Sequence, residues 1–165
     1  MSESYDFDAV DQIAVGTVGP TGQRLFLLQA RQGSMSVTLK MEKAQVAALC
    51  QYLGRLLADL PRAGHLHGPP DLGGPAEPEW VVGNMGLSYD EVADHVLLIV
   101  EEAVGEDEVG AVAQFRATRE QVSALAIQGT LLVEAGRPPC PLCSYPLDPS
   151  GHDCPKTNGH RPPTT

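Results

Sequence analysis

Met35-Ser-Val-Thr-Leu-Lys-Met41 runs directly into Glu42-Lys-Ala-Gln-Val-Ala-Ala-Leu-Cys-Gln-Tyr-Leu-Gly-Arg-Leu-Leu-Ala-Asp-Leu60, and the hydrophobic period changes at the join. Before it, Met35, Val37, Leu39 and Met41 alternate with Ser36, Thr38 and Lys40, which is the two-residue repeat of a half-buried strand. After it, Val46, Leu49, Leu53, Leu56, Leu57 and Leu60 fall on one helical stripe, and Pro61 ends the pattern. Upstream, the apolar run Ile13 to Val18 is followed by Gly19-Pro-Thr-Gly22, strong turn chemistry, and then by a return strand from Arg24 to Arg31. Gln32-Gly33 supplies the next turn. The first half therefore reads β-β-β-α.

The second half repeats this order. Val81-Val-Gly-Asn-Met-Gly86 echoes Ala14-Val-Gly-Thr-Val-Gly19 at an offset of 67, and Gln121-Val-Ser-Ala-Leu125 echoes Gln45-Val-Ala-Ala-Leu49 at an offset of 76. About nine extra residues are thus expected in the second copy, in the acidic loop near Gly105 to Gly110. His95 to Val100 suits a central strand, and Ala111, Ala113, Phe115 and Ala117 alternate with Val112, Gln114 and Arg116. A helix is expected from about Thr118 to Glu134, with Val122, Leu125, Gly129, Leu132 and Val133 facing inward. The resulting fold class is α+β: an internally duplicated β-β-β-α body, one antiparallel sheet of about six strands with two helices on one face, plus a small C-terminal zinc module. If the copies correspond, Val46 and Leu49 occupy the places that Val122 and Leu125 occupy in theirs. The boundaries are a body over 1–136 (copy one about 10–60, linker 61–78, copy two about 79–136) and a tail over 137–165. Rich in Pro and Gly, the linker reads as a spacer that does not pack.

The tail carries the sharpest chemical signal. Cys140-Pro-Leu-Cys143 places two thiolates two residues apart, a turn that lets both sulfurs face one metal, and Cys154 is the evident third ligand. His152 shares a face with Cys154 in an extended segment and is favoured as the fourth ligand, with His160 as the alternative. Four protein ligands close a tetrahedral Zn²⁺ site, which makes it structural, whereas catalytic zinc keeps an open position. A redox dithiol would want a helix after the first cysteine, and Pro141 and Pro146 oppose one. Cys50 lies within the apolar stripe of the first helix and reads as packing.

Of the 165 residues, 42% are apolar, enough for one ordinary core, and the formal net charge is −10. The body over 1–136 carries eight Lys and Arg against nineteen Asp and Glu, a field that repels a phosphate backbone, so nucleic acid is not the expected partner. No apolar run is long enough for a membrane span, and the acidic N-terminus lacks the pattern of a signal peptide. A cytoplasmic protein with a reduced cysteine set is expected.

Val15-Gly-Thr-Val-Gly, Phe26-Leu-Leu-Gln-Ala-Arg31, Gly86-Leu-Ser-Tyr-Asp90 and the Cys-Pro-Leu-Cys and Gly-His-Asp-Cys-Pro phrases of the tail together resemble an uncharacterised actinobacterial family of conserved hypothetical proteins with a zinc-ribbon-like tail. The resemblance covers almost the whole chain and implies a cytoplasmic actinobacterial source, but no reaction. The glycine usual after the second cysteine is Ser144 here.

Other chemistry-bearing residues have plainer readings beside their functional ones. His65 and His67 with Asp71 could hold a metal, but in the Pro/Gly linker they read as a solvated loop. His95 reads as a strand-end residue, and Trp80 as either a partner anchor or a cover for the core edge. The carboxylates Asp90, Glu91, Asp94, Glu101, Glu102, Glu106, Asp107 and Glu108 could serve a hydrolase or transferase only if they converge; otherwise they form a solvated face. No catalytic or cofactor-binding residue is assigned. The favoured reading is a non-catalytic protein-binding or adaptor protein with a structural zinc, and the carboxylate enzyme is the alternative.

Overall fold

The computed structural model describes residues 2–20, 22–61, 70, 72–73 and 77–135. Seven strands and two helices occur among them: β1 (Tyr5–Phe7), β2 (Gln12–Val18), β3 (Leu25–Gln32), β4 (Met35–Met41), α1 (Lys43–Ala58), β5 (Val82–Asp90), β6 (His95–Glu102), β7 (Val112–Thr118) and α2 (Arg119–Glu134). The period change at Glu42 falls where α1 begins. The strands form two sheets, ordered β1-β7-β6-β5 and β2-β3-β4. This corrects the single six-stranded antiparallel sheet expected from the sequence. The physical reason lies in two short lead-in segments that the hydrophobic pattern does not mark.

The first lead-in, β1, pairs parallel with β7, with Phe7 opposite Phe115. Those two rings stack at 5.4 Å between centroids, a contact worth about 1 kcal/mol beyond the area it buries. The second lead-in is the stretch before β5. Lys40 of β4 pairs parallel with Val81, Glu79 N–H donates to the Thr38 carbonyl at 2.8 Å, and Lys40 N–H donates to the Trp80 carbonyl at 3.0 Å. Each half's last strand thus receives, in parallel, the segment that leads into the other half.

Both helix starts are closed by a capping box, Glu42 with Gln45 and Thr118 with Gln121. The same two glutamines then reach across to the opposite half. Gln45 Nε2 donates to the carbonyls of Val82 (2.8 Å) and Gly83 (3.0 Å), while Gln121 Nε2 donates to those of Val10 (2.9 Å) and Asp11 (3.3 Å). Taken as equivalent, these contacts set the strands and helices of the two halves side by side. The first strands match at an offset of 72, so Ile13 corresponds to Met85; the second strands match at 70, and the third strands and helices at 76. The echo at 67 is therefore five residues out of register, because two Val-Gly phrases occupy different places in β2 and β5. The turn before the second strand is two residues shorter in the second half. The acidic loop between β6 and β7 accordingly carries six extra residues rather than nine.

One core joins everything: Phe26, Leu28 and Ala30 of β3, Val96, Leu98 and Val100 of β6, and Val46, Leu49, Val122 and Leu125 of the helices are all buried. The helices touch closely at Gly129, where an added Cβ would lie 2.4 Å from Cys50 Sγ. On the outer side of the three-stranded sheet, Gln29 and Thr38 are buried and hydrogen-bonded to each other at 3.1 Å. There Gly73 N–H donates to Gln29 Oε1 at 2.7 Å, and Leu72 sits so close to Gly16 that a Cβ would lie 2.5 Å from it. At these two residues the stretch between the halves packs, contrary to its reading as a spacer.

Candidate functional site

β2 and β5 are the outer strands of their sheets, and an outer strand leaves a row of backbone N–H and C=O groups without a ladder partner. The two are treated differently. α2 packs extensively along β2, whereas α1 meets β5 chiefly near its start, where Gln45 takes up the first two carbonyls. Beyond that clamp a groove of about 530 Å³ opens between α1 and β5, lined by Leu49, Tyr52, Leu56, Met85 and Leu87, with Arg55, Asp59 and Asn84 at its margins. Along α1 the apolar positions 49, 52 and 56 follow helical spacing, so they line up on one side. Tyr52 is 59% exposed, and the Arg55 guanidinium lies 6.0 Å from the centre of its ring. On β5, Gly86 has nothing within 4 Å of where a Cβ would be, so the sheet face opposite Met85 and Leu87 is open there. An apolar trough beside an uncovered strand can accept an extended peptide by hydrogen-bonding its backbone and seating its side chains.

The carboxylates singled out in the sequence do not converge. Asp90 Oδ1 accepts from Val92 N–H (3.0 Å) and Ala93 N–H (3.2 Å), closing the β5–β6 turn. At the far end of β6, Glu102 accepts from Ala111 N–H (2.9 Å) and Ser2 Oγ (2.6 Å), and these donors hold its carboxyl below the usual range. β6 separates the two ends by about 23 Å at ~3.3 Å per residue. Glu106, Asp107 and Glu108 are exposed on the connecting loop. Asp94, at a positive φ of 55°, accepts two hydrogen bonds from the Arg119 guanidinium, at 2.7 and 3.1 Å, and one from the Tyr89 hydroxyl at 2.5 Å. The Arg119 guanidinium, then the tyrosine, lowers the Asp94 pKa, while Arg119 is raised in turn. Each of these groups serves a turn, a loop or an ion pair, not a shared reaction centre.

His95 opens β6 opposite Asp90 and Thr118, as a strand-end residue. Trp80 is buried and donates from its indole N–H to the Glu3 carbonyl at 3.0 Å, so it covers the core edge and is not presented to a partner. Cys50 is buried with its thiol pKa pushed up by desolvation, which makes it unreactive packing. Cys140, Cys143, His152, Cys154 and His160 lie outside the described residues, as do His65, His67 and Asp71. Among the described residues no group of three His, Cys, Asp or Glu could hold a metal, and no helix is long and apolar enough to cross a membrane. Sequence reading missed Tyr52, Met85 and Leu87 as groove residues, since exposure on one helix and an unpaired strand edge leave no periodic signal.

No curated protein and no solved structure matches the sequence. A family model described as a protein of unknown function, DUF3090, matches residues 5–154, from β1 through the third cysteine of the tail. With most of the sequence inside that match, the chain belongs to the DUF3090 family.

Proposed function

We propose that this protein is a non-catalytic protein-binding module whose groove between α1 and β5 takes an extended, largely apolar segment of a partner. The observation that carries the reading is the open edge of β5 beside Tyr52, Leu56, Met85 and Leu87, set against a β2 edge that α2 covers. The spread of the carboxylates supports the non-catalytic side of it. In the same reading the body is an internal duplication in which each half clamps the other through Gln45 and Gln121, giving a stiff platform for the groove. The decisive experiment is affinity purification of the tagged protein from its native host, in parallel with Tyr52→Glu. A stoichiometric partner recovered with wild type and lost with the variant supports the groove. Turnover of phosphoesters, peptides or nucleotides that is abolished by changing the carboxylates at 90–108 would overturn the reading.

The tail contributes a structural zinc, held by Cys140, Cys143, Cys154 and His152, with His160 as the alternative fourth ligand. The family match includes His152 and Cys154 and ends before His160, which favours His152. With few apolar residues, the tail owes its order to the metal, and the body does not. Elemental analysis should give one zinc per chain, lost in Cys143→Ser and in His152→Ala but kept in His160→Ala. Full zinc occupancy after both histidine changes would rule out the three-cysteine, one-histidine set.

A further inference from the structure

The outer faces of the two sheets hold equivalent places in the two halves and are finished differently. On the three-stranded sheet, Phe26, Leu28 and Ala30 of β3 point into the core, so the alternation turns Leu27 and Gln29 outward, with Ala14 and Thr38 on either side of Gln29. All four are nonetheless buried, at 1% exposure for Ala14, 0% for Leu27, 3% for Gln29 and 6% for Thr38. Leu72 and Gly73 lie over this face: the leucine sits against Gly16, and the glycine N–H donates to Gln29 Oε1. On the four-stranded sheet the same offsets put Leu97 in the place of Leu27, Ile99 in that of Gln29, Gly86 in that of Ala14 and Ser88 in that of Gly16. Here Leu97 and Ile99 are only partly buried, Gly86 and Ser88 are exposed, and among the described residues nothing lies within 4 Å of where a Gly86 Cβ would be.

We propose that the chain's own C-terminal tail covers this second outer face, with Leu147 against Ser88 and Leu97 as Leu72 is against Gly16. The segment that covers the first sheet is the one that leaves the end of α1, and the tail is the one that leaves the end of α2. The lengths agree: Leu72 lies fourteen residues beyond Ala58, where α1 ends, and Leu147 lies thirteen beyond Glu134, where α2 ends. The chemistry agrees as well. Gln29 accepts a backbone N–H from its cover, whereas Ile99 has no polar side-chain atom to offer, so the second face calls for apolar side chains. Tyr145 and Leu147, two apart in sequence, supply them on one side of an extended segment. This face lies across β5 from the α1/β5 groove and the contact requires no metal, so it stands or falls apart from both readings above.

The test is photo-crosslinking in the full chain with p-benzoylphenylalanine in place of Ser88. The expected main product is an intramolecular crosslink that mass spectrometry maps to residues 142–150, and the same photo-reactive residue in place of Tyr52 should give no crosslink to the tail. Leu147→Asp should reduce the crosslink from position 88 about tenfold at unchanged circular dichroism, because it puts a charge where the face needs an apolar side chain. Ile127→Asp, on the exposed side of α2, should leave it as it is. The mapping in otherwise wild-type protein decides the matter even if a variant fails to fold. Absence of a tail crosslink from position 88, or its survival in Leu147→Asp, would overturn the proposal. So would crosslinks that join two chains in a mixture of isotopically light and heavy protein, which would make a second copy the cover.

Discussion

β2 and β5 hold corresponding places in two halves with the same β-β-β-α order, yet one is covered and the other is open. Ile13 and Val15 of β2 are fully buried, while their counterparts Met85 and Leu87 of β5 are only partly buried, beside a helix that touches their strand less. The cause is local: α2 runs along its strand, and α1 contacts its strand mainly at the Gln45 clamp. The same architecture therefore yields a sealed seam and a usable groove.

The largest expected effect measures that difference directly. Ile13→Ala removes a side chain from the sealed seam and should destabilise the protein by about 2–5 kcal/mol in urea unfolding, since the cavity cannot fully collapse. Met85→Ala, at the matching position, should cost about 1 kcal/mol or less, because its side chain is already partly in water. Equal losses at the two sites would mean that the groove is closed in solution.

A smaller effect tests the helix pair that both seams share. Gly129→Ala would ordinarily gain about 1 kcal/mol of helix propensity. Here the new Cβ meets Cys50 Sγ, and overpacking of about 1–3 kcal/mol should outweigh the gain. Adding Cys50→Ala removes the sulfur, so the double variant should be at least as stable as wild type by thermal unfolding. Failure of that rescue would show that the helices meet elsewhere.

How much of this was legible in the sequence divides along physical lines. The strands and helices whose apolar residues keep a strict period, such as Val37-Leu39-Met41 and Ala113-Phe115-Ala117, were readable, because burial on one face dictates the pattern. Thr118 and Glu42 were readable as helix boundaries for the same reason. The lead-in β1 was not, since three residues, Tyr5-Asp6-Phe7, carry too short an alternation to separate from noise. Without it, the parallel junctions and the split into two sheets had no trace. The register between halves was misread because Val-Gly phrases recur, whereas the glutamine clamps that define it are single polar residues whose partners are backbone carbonyls. The groove was illegible because it arises from what a neighbouring helix fails to cover.

The clamps themselves come next in size. Gln121→Ala leaves the carbonyls of Val10 and Asp11 without that donor and opens the capping box at Thr118, and Gln45→Ala does the same to Val82, Gly83 and Glu42. About 1–2 kcal/mol is expected for each by chemical denaturation, since the carbonyls are only partly buried and water can replace some of the lost bonds. The signature that sharpens the comparison lies in hydrogen exchange. Gln45→Ala should loosen amides at the start of β5 and widen the groove, while Gln121→Ala should leave β2 protected, because α2 still covers it. Equal loosening of both strands would make the glutamines, and not helix coverage, the source of the difference.

The smallest expected effect concerns the ion pair between Asp94 and Arg119 in the second half. Arg119, then Tyr89, lowers the Asp94 pKa from its ordinary value. A carboxyl whose folded pKa is depressed adds stability that is fully present above its unfolded pKa and is lost as pH falls through the folded value. The melting temperature of wild type should therefore exceed that of Asp94→Asn by a constant small margin from neutral pH down to about 5. The margin should shrink below about 4 and vanish once Asp94 is protonated in both states. Because Asp94 is half-exposed, added salt should reduce the margin at every pH. A pH-independent margin for Asp94→Asn would mean that the charge of Asp94 does not stabilise the fold, since asparagine tolerates the positive φ equally well.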